Sequence, residues 1–165
     1  MSWLNEPAEW SRTGDLVTVR AEPDTDFWRT THYGFVRDSG HFLATGELGL
    51  RFRGDFASQY DQAGLMLRVD ASHWIKAGLE LDHGRLWLSV VVTQGVSDWS
   101  QQPAPEPDAD GWWTIRAERF VDSVQISCGE QPVRLAPFGP GELLSGPMCA
   151  APKGPGFECS FAPLT

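Results

Sequence analysis

One stretch, HWIKAGLELDHGRLWLSVVVT at His73–Thr93, carries the residue types and spacings best suited to chemistry. Lys76 and Glu80 share one parity with Trp74, and Glu80 is followed two residues on by Asp82. In an extended strand Glu80 and Asp82 point the same way, about 7 Å apart at the backbone. That spacing is permissive for the carboxylate pair of a retaining glycosidase, whose two carboxyls lie about 5–5.5 Å apart. Asp82, however, abuts His83-Gly84, and an Asp beside a turn is accounted for by hydrogen bonds to its own backbone. Glu80 is therefore the candidate acid or base, and Asp82 a turn residue.

The strands that must hold these groups follow from the apolar pattern. Ile75, Ala77, Leu79 and Leu81 alternate in one strand, and Leu86, Leu88, Val90 and Val92 in the next. A two-residue His83-Gly84 loop brings these sets opposite one another. The same register sets Glu80 opposite Trp87, Gly78 opposite Ser89, Lys76 opposite Val91 and Trp74 opposite Thr93. In the preceding strand Ala63, Leu65, Leu67 and Val69 face the core, leaving Gln62, Gly64, Met66 and Arg68 beside Lys76 and Glu80. Pairing Val69 with Ile75 places Arg68 across from Lys76, a like-charge pair that needs an anion nearby. Glu80 is roughly 13 Å from Lys76 along an extended strand, too far to fill that role alone. The face is then either the wet side of a sheet, where charges belong, or a ligand face, which its indoles, Met66 and glycines favour.

Further strands are read at Leu16–Ala21, Phe42–Thr45, Leu48–Asp55, Trp112–Glu118, Ser123–Cys128 and Phe157–Ala162, with no convincing helical period. Only GPGELLS, residues 139–145, could form a helical turn. Pro103–Pro107 reads as a surface loop and Pro137–Pro155 as a long, stiff return. Many short antiparallel strands in 165 residues predict one all-β domain over residues 1–165, a sandwich or jelly roll.

Composition narrows the function classes. The chain has 22 Asp and Glu against 13 Lys and Arg, a net charge of −9, and no basic run, which argues against nucleic acid and anionic membranes. Eight tryptophans supply core filler and platforms for stacking sugars or bases. The N-terminus lacks a signal-peptide pattern, and Cys128, Cys149 and Cys159 have no CxxC spacing, so a cytoplasmic location with reduced thiols is expected. A Cys149–Cys159 bridge stays open. The histidines are scattered, so no metal site is expected, and no cofactor fingerprint is present. EPDTDFW at Glu22–Trp28 and EPDADGWW at Glu106–Trp113 read as acidic loops leading into strands.

Several motifs occur together: TDFWR at Thr25–Arg29, YDQAGLMLR at Tyr60–Arg68, WIKAGLE at Trp74–Glu80, SVVVT and SDWS within Ser89–Ser100, and GPMCAAP at Gly146–Pro152. With them the chain resembles the domain of unknown function 1349 family, placed in the concanavalin A-like lectin/glucanase superfamily, some members of which are labelled "regulation of enolase". The resemblance runs from WLNEP at Trp3–Pro7 to GFECSF at Gly156–Phe161. It implies a two-sheet antiparallel jelly-roll β-sandwich whose concave face carries the ligand. Motif residues Gln62, Arg68, Lys76, Glu80, Ser89 and Thr93 fall on that face, where strand parity also puts Trp87. Asp26, Trp28, Arg29, Tyr60, Asp61, Asp98 and Trp99 are loop candidates for its rim. Glucanases of this architecture use Glu-x-Asp-x-x-Glu on one strand. Here the run from Glu80 ends in Arg85, beyond the turn, so the motif is incomplete and its terminal acid is missing. The reading is a carbohydrate or sugar-derivative binding protein without catalysis, its ligand a small carbohydrate or sugar phosphate. The alternatives are a glycoside-active enzyme using Glu80, and a regulatory module that docks on a metabolic enzyme.

Overall fold

A computed structural model describes residues 1–139 and 141–164. Two seven-stranded antiparallel sheets face each other. In the first, the order is β1 (Ser2–Leu4), β6 (His41–Ala44), β15 (Leu144–Ala150), β8 (Gln62–Asp70), β9 (His73–Asp82), β10 (Arg85–Gln94) and β11 (Val96–Pro103). In the second it is β14 (Gln131–Pro137), β13 (Ser123–Cys128), β12 (Trp113–Arg119), β7 (Gly49–Gly54), β16 (Phe157–Pro163), β3 (Leu16–Ala21) and β2 (Trp10–Thr13). A two-stranded ribbon of β4 (Phe27–Arg29) and β5 (Val36–Asp38) pairs with neither sheet. The described residues include no helix, and the fold is the expected jelly-roll sandwich.

The core between the sheets is built from the predicted parity. Leu65, Leu67, Ile75, Leu79, Leu88 and Val90 of the first sheet pack among Val19, Phe52, Ile115, Ile126, Phe157 and Phe161 of the second. The β9–β10 hairpin keeps the register read from the sequence, with Glu80 opposite Trp87, Lys76 opposite Val91 and Trp74 opposite Thr93. His83 and Gly84 both have positive φ, 49° and 75°, the geometry a two-residue hairpin loop demands.

The β8–β9 register differs from expectation. Leu67, not Val69, pairs with Ile75, so Lys76 faces Met66 and Arg68 faces Trp74. The cause is an irregularity between Arg68 and Asp70, which leaves Val69 unpaired and 36% exposed instead of in the core. The slip is two residues, so every side chain stays on its predicted face. The expected Arg68–Lys76 pair does not form.

Two other expectations are corrected. Pro137–Pro155 is no simple return, because β15 lies within it and pairs with β8 along its whole length. The segment 139–145 contains no helical turn among its described residues (Pro140 lies outside them), and Leu144–Ser145 open β15. The cysteines are free, buried thiols, in line with the reduced state expected, and the bridge left open between Cys149 and Cys159 is not formed.

The non-core face of the first sheet has a covering of its own. The ribbon crosses it, and Phe27, Trp28, Phe42, Met66, Trp74, Val91 and Met148 form a second apolar cluster beneath. Trp74 is fully buried there, 6.1 Å from the Phe27 ring. Gly40 permits the close approach, since a Cβ on it would fall 2.3 Å from the Phe27 ring. Arg68 holds the ribbon with a bidentate ion pair to Asp38, both bonds 2.7 Å. Asn5 adds side-chain bonds to the carbonyls of Asp38 and Gly40.

Candidate functional site

Beside this cluster the ribbon leaves the sheet partly uncovered, and a pocket of about 180 Å³ opens. Gln62 of β8 and Lys76 and Glu80 of β9 form its floor, since Gln62 pairs with Glu80 and all three share the non-core parity. Asp26 comes down from the turn before β4. The Lys76 ammonium donates to Gln62 Oε1 and lies 3.6 Å from Asp26 Oδ1. Gln62 Nε2 donates to Asp26 Oδ1 at 3.3 Å and to the Tyr60 carbonyl at 3.1 Å. Asp26 Oδ1 also accepts the Phe27 amide at 2.8 Å. Lys76 is thus a buried cation whose neighbours hold it in place.

Glu80 is treated differently. It is 4% exposed, and its Oε1 is buried with no hydrogen-bond partner among the described residues. Burial pushes its pKa up to about 7; Lys76 pulls it down, while Asp26 and Asp82 push it further up. A carboxyl so placed exchanges its proton near neutrality, as an acid–base group or an adjustable hydrogen-bond partner can. Behind the floor a hollow of about 10 Å³ is bordered by Lys76, Glu80, Gly78 and Ser89.

The walls are aromatic. Trp28 of β4, Tyr33 and Phe35 of the ribbon's turn, Tyr60 ahead of β8 and Trp99 of β11 surround the floor. Trp28 lies edge-on to Tyr33 at 5.4 Å and to Trp99 at 6.0 Å, and Tyr33 stacks on Phe35 at 5.6 Å. The Tyr33 and Tyr60 hydroxyls bond each other at 3.0 Å. Burial, followed by this bond, raises the Tyr33 pKa, so its phenol stays neutral. The Trp28 indole N–H donates to Thr31 O, and that of Trp99 to Ser89 Oγ at 3.0 Å, which fixes both rings. Backbone strain concentrates here: Asp24 and Tyr60 line the pocket at φ 60° and 68°, and Thr30 and His32 of the ribbon's turn adopt 64° and 62°.

Of the residues selected from sequence, Gln62, Lys76, Glu80, Asp26, Trp28, Tyr60 and Trp99 meet in this pocket. The others do not. Arg68 is consumed by Asp38 under the ribbon. Trp87 lies beyond the floor, beneath Arg85, with its N–H on Asp82 O. Ser89 orients Trp99 from behind, and Thr93 is buried against Ser97. Arg29 bonds the Gly95 carbonyl. Asp61 caps a turn through the amides of Ala57 and Ser58. Asp98 pairs with Val92, hence with the core parity, and binds Arg134 of the second sheet at 2.7 Å.

The sequence reading missed Tyr33, Phe35, Arg37, Asp24, Thr25, Pro152 and Lys153, all pocket-lining. Aromatics flanking Gly34 in THYGF were the available signal for the first two. No three His, Cys, Asp or Glu side chains come together to hold a metal ion among the described residues.

This architecture is that of a β-sandwich shared with carbohydrate-active and carbohydrate-binding proteins. The chain belongs to the DUF1349 family of unknown function, whose profile matches residues 3–165. It is 41% identical to Regulation of enolase protein 1 of Saccharomyces cerevisiae, over 98% of this chain and 86% of that one. A crystal structure described as a functionally unknown protein from S. cerevisiae superposes with a TM-score of 0.89 at 37% identity, covering 99% of this chain and 97% of that one. Two more distant structures share the fold. The GH43 BlXynB protein of Bacillus licheniformis has a TM-score of 0.67 at 14% identity over 94% of this chain, a third (34%) of its own. The carbohydrate-binding module CBM66 of Bacillus subtilis has 0.51 at 12%, over 98% and 92%.

Proposed function

We propose that this protein binds a small carbohydrate in the pocket between the ribbon and the first sheet, without cleaving it. The observation that carries the reading is the Glu80 carboxyl: buried, lacking a partner for Oε1, and at the floor of an aromatic-walled pocket. A buried polar atom left unpaired is costly, by about 1–3 kcal/mol. A ligand hydroxyl donating to Oε1 removes that cost, while Tyr60 and Trp99 offer faces to the apolar side of a sugar ring. Lys76 and Gln62 are already bonded, so they set the position of the ring rather than its charge. At about 180 Å³ the pocket is smaller than the roughly 300–1,000 Å³ of drug-sized sites and suits a single ring. Likeness in fold to a carbohydrate-binding module and a GH43 protein supports the choice of ligand class. Hydrolysis is disfavoured because the carboxyls that act on Glu80 are engaged, Asp26 with Lys76 and Gln62 and Asp82 with Gln59 and His83, while Asp24, the other carboxyl lining the pocket, stands exposed at its rim.

The test is isothermal titration calorimetry at pH 8 with a panel of mono- and disaccharides, on the wild type, Glu80→Gln and Trp99→Ala. Replacing a charge-assisted hydrogen bond with a neutral one should weaken binding about tenfold. Losing the Trp99 platform should weaken it by a similar factor. Binding unchanged in both variants would remove the pocket from consideration.

A further inference from the structure

The pocket is polarised from floor to mouth. At the floor one cation meets two carboxyls: Lys76 lies 3.6 Å from Asp26, and Glu80 is desolvated. At the mouth stand Arg37 of β5 and Lys153, both solvent-exposed, both bordering the pocket, and neither in an ion pair among the described residues. Arg37 is not left to wander, because its guanidinium lies over the Phe35 ring, 5.7 Å from the centroid. Among the described residues, Asp24 is the one acidic group beside them at the rim. Two cations against one carboxylate make a locally positive mouth on a protein of net charge −9.

Resting on the carbohydrate reading above, we infer that the ligand is a phosphorylated sugar, its ring hydroxyl on Glu80 and its phosphate at the mouth between Arg37 and Lys153. A guanidinium offers a planar fork of donors to phosphate oxygens and an ammonium a point charge, the two recurrent phosphate partners. Tyr33, Tyr60 and Trp99 line the same pocket as both groups. The inverse orientation is unfavourable, because a phosphate at the floor would meet the Glu80 and Asp26 carboxyls in a desolvated site. The anion expected from an Arg68–Lys76 pair thus has a different seat, as Arg68 is neutralised by Asp38.

The experiment is calorimetric titration with hexose 1- and 6-phosphates, their unphosphorylated parents and inorganic phosphate, on the wild type and on Arg37→Ala/Lys153→Ala. Both positions are exposed, so the double variant should fold, and its thermal transition checks that. One ester should bind at least tenfold more tightly than its parent sugar. That ratio should collapse toward one in the double variant and shrink with added salt. If the parent sugar binds as well as its ester, the phosphate assignment is wrong while the carbohydrate pocket stands. If inorganic phosphate alone matches the ester, the mouth is a general anion patch and the inference is overturned. If neither sugar nor ester binds, both readings fail together.

Discussion

Glu80 is the residue at which the proposed ligand binding and stability conflict. Its carboxyl ionises near 4.5 in an unfolded chain and near 7 in the fold, chiefly because burial disfavours the charge. Below pH 4.5 it is protonated in both states and costs nothing. Between 4.5 and 7 the folded form retains a proton that the unfolded form releases, so stability falls as pH rises; above 7 the cost is complete. At about 1.4 kcal/mol per unit, the rise to about 7 amounts to a penalty on the order of 3 kcal/mol. Glu80→Gln has nearly the shape of the protonated acid. It should therefore match the wild type in urea denaturation at pH 4.5 and exceed it by about that amount at pH 8. An equal difference at both pH values would mean that Glu80 is not desolvated as described. Glu80 and Lys76 were legible from parity alone, because charged residues alternating with core residues must share the opposite face. Tyr33, Phe35, Arg37 and Lys153 were not, because they lie on a three-residue strand, the turn before it and a loop, whose paths depend on tertiary contacts.

At the scale of elements, the β9–β10 hairpin was readable in full, since His83-Gly84 fixes the loop and the loop fixes the register. The neighbouring pair was readable only to within a slip of two. Val69 looks like the next member of an alternating set, and nothing local marks it as the unpaired residue of a bulge. β15 was hidden by composition: SGPMCA places Gly and Pro where a central strand is not expected. Pro147 nevertheless sits in the β8 ladder opposite Leu65, while pairing with β6 is confined to Met148 and Cys149. Gly146 meets a second constraint, at φ 150° with a would-be Cβ 2.1 Å from Leu43 O. The glycines facing each other on β8 and β9, Gly64 and Gly78, have a plainer reason. A Cβ at position 78 would lie 2.1 Å from the Ala63 carbonyl oxygen, and one at 64 would lie 2.2 Å from that of Ala77. Gly78→Ala must therefore spread β8 from β9, moving Lys76 and Glu80 relative to Gln62. A loss of about 1–3 kcal/mol is expected, a fall of several degrees in the thermal transition. Binding of the panel's best ligand should weaken further than in Trp99→Ala. Unchanged stability would show that the two strands have slack the structure does not indicate.

At the scale of the whole molecule, the two sheets were foreseeable because almost every strand presents an apolar parity needing a partner layer. The ribbon was not, since Phe27–Arg29 and Val36–Asp38 are too short to show a period. It converts the far face of the first sheet into a second, smaller core, so the molecule is a sandwich with a partial third layer. The thiols test whether this assembly opens as a unit. Cys149 belongs to the first sheet and Cys159 to the second, each 1% exposed, with Cys159 Sγ donating to the Val19 carbonyl at 3.7 Å. Burial holds the Cys159 thiol well above its ordinary pKa, with Cys149 adding to the effect. Since only thiolate reacts, labelling has to wait for an opening that separates the sheets. When that opening is global and closes faster than the reagent reacts, the rate follows the folding equilibrium. Glu80→Gln lies on the opposite face of the first sheet and touches neither sulfur. At pH 8 it should nevertheless slow labelling of both Cys149 and Cys159 by the factor its stabilisation dictates, about tenfold for every 1.4 kcal/mol. Equal slowing of the two thiols, read by mass spectrometry of labelled peptides, would show that sandwich and ribbon unfold together. Labelling that ignores the substitution, while urea denaturation registers it, would place a local opening at β15 and β16 and separate the core from the pocket face.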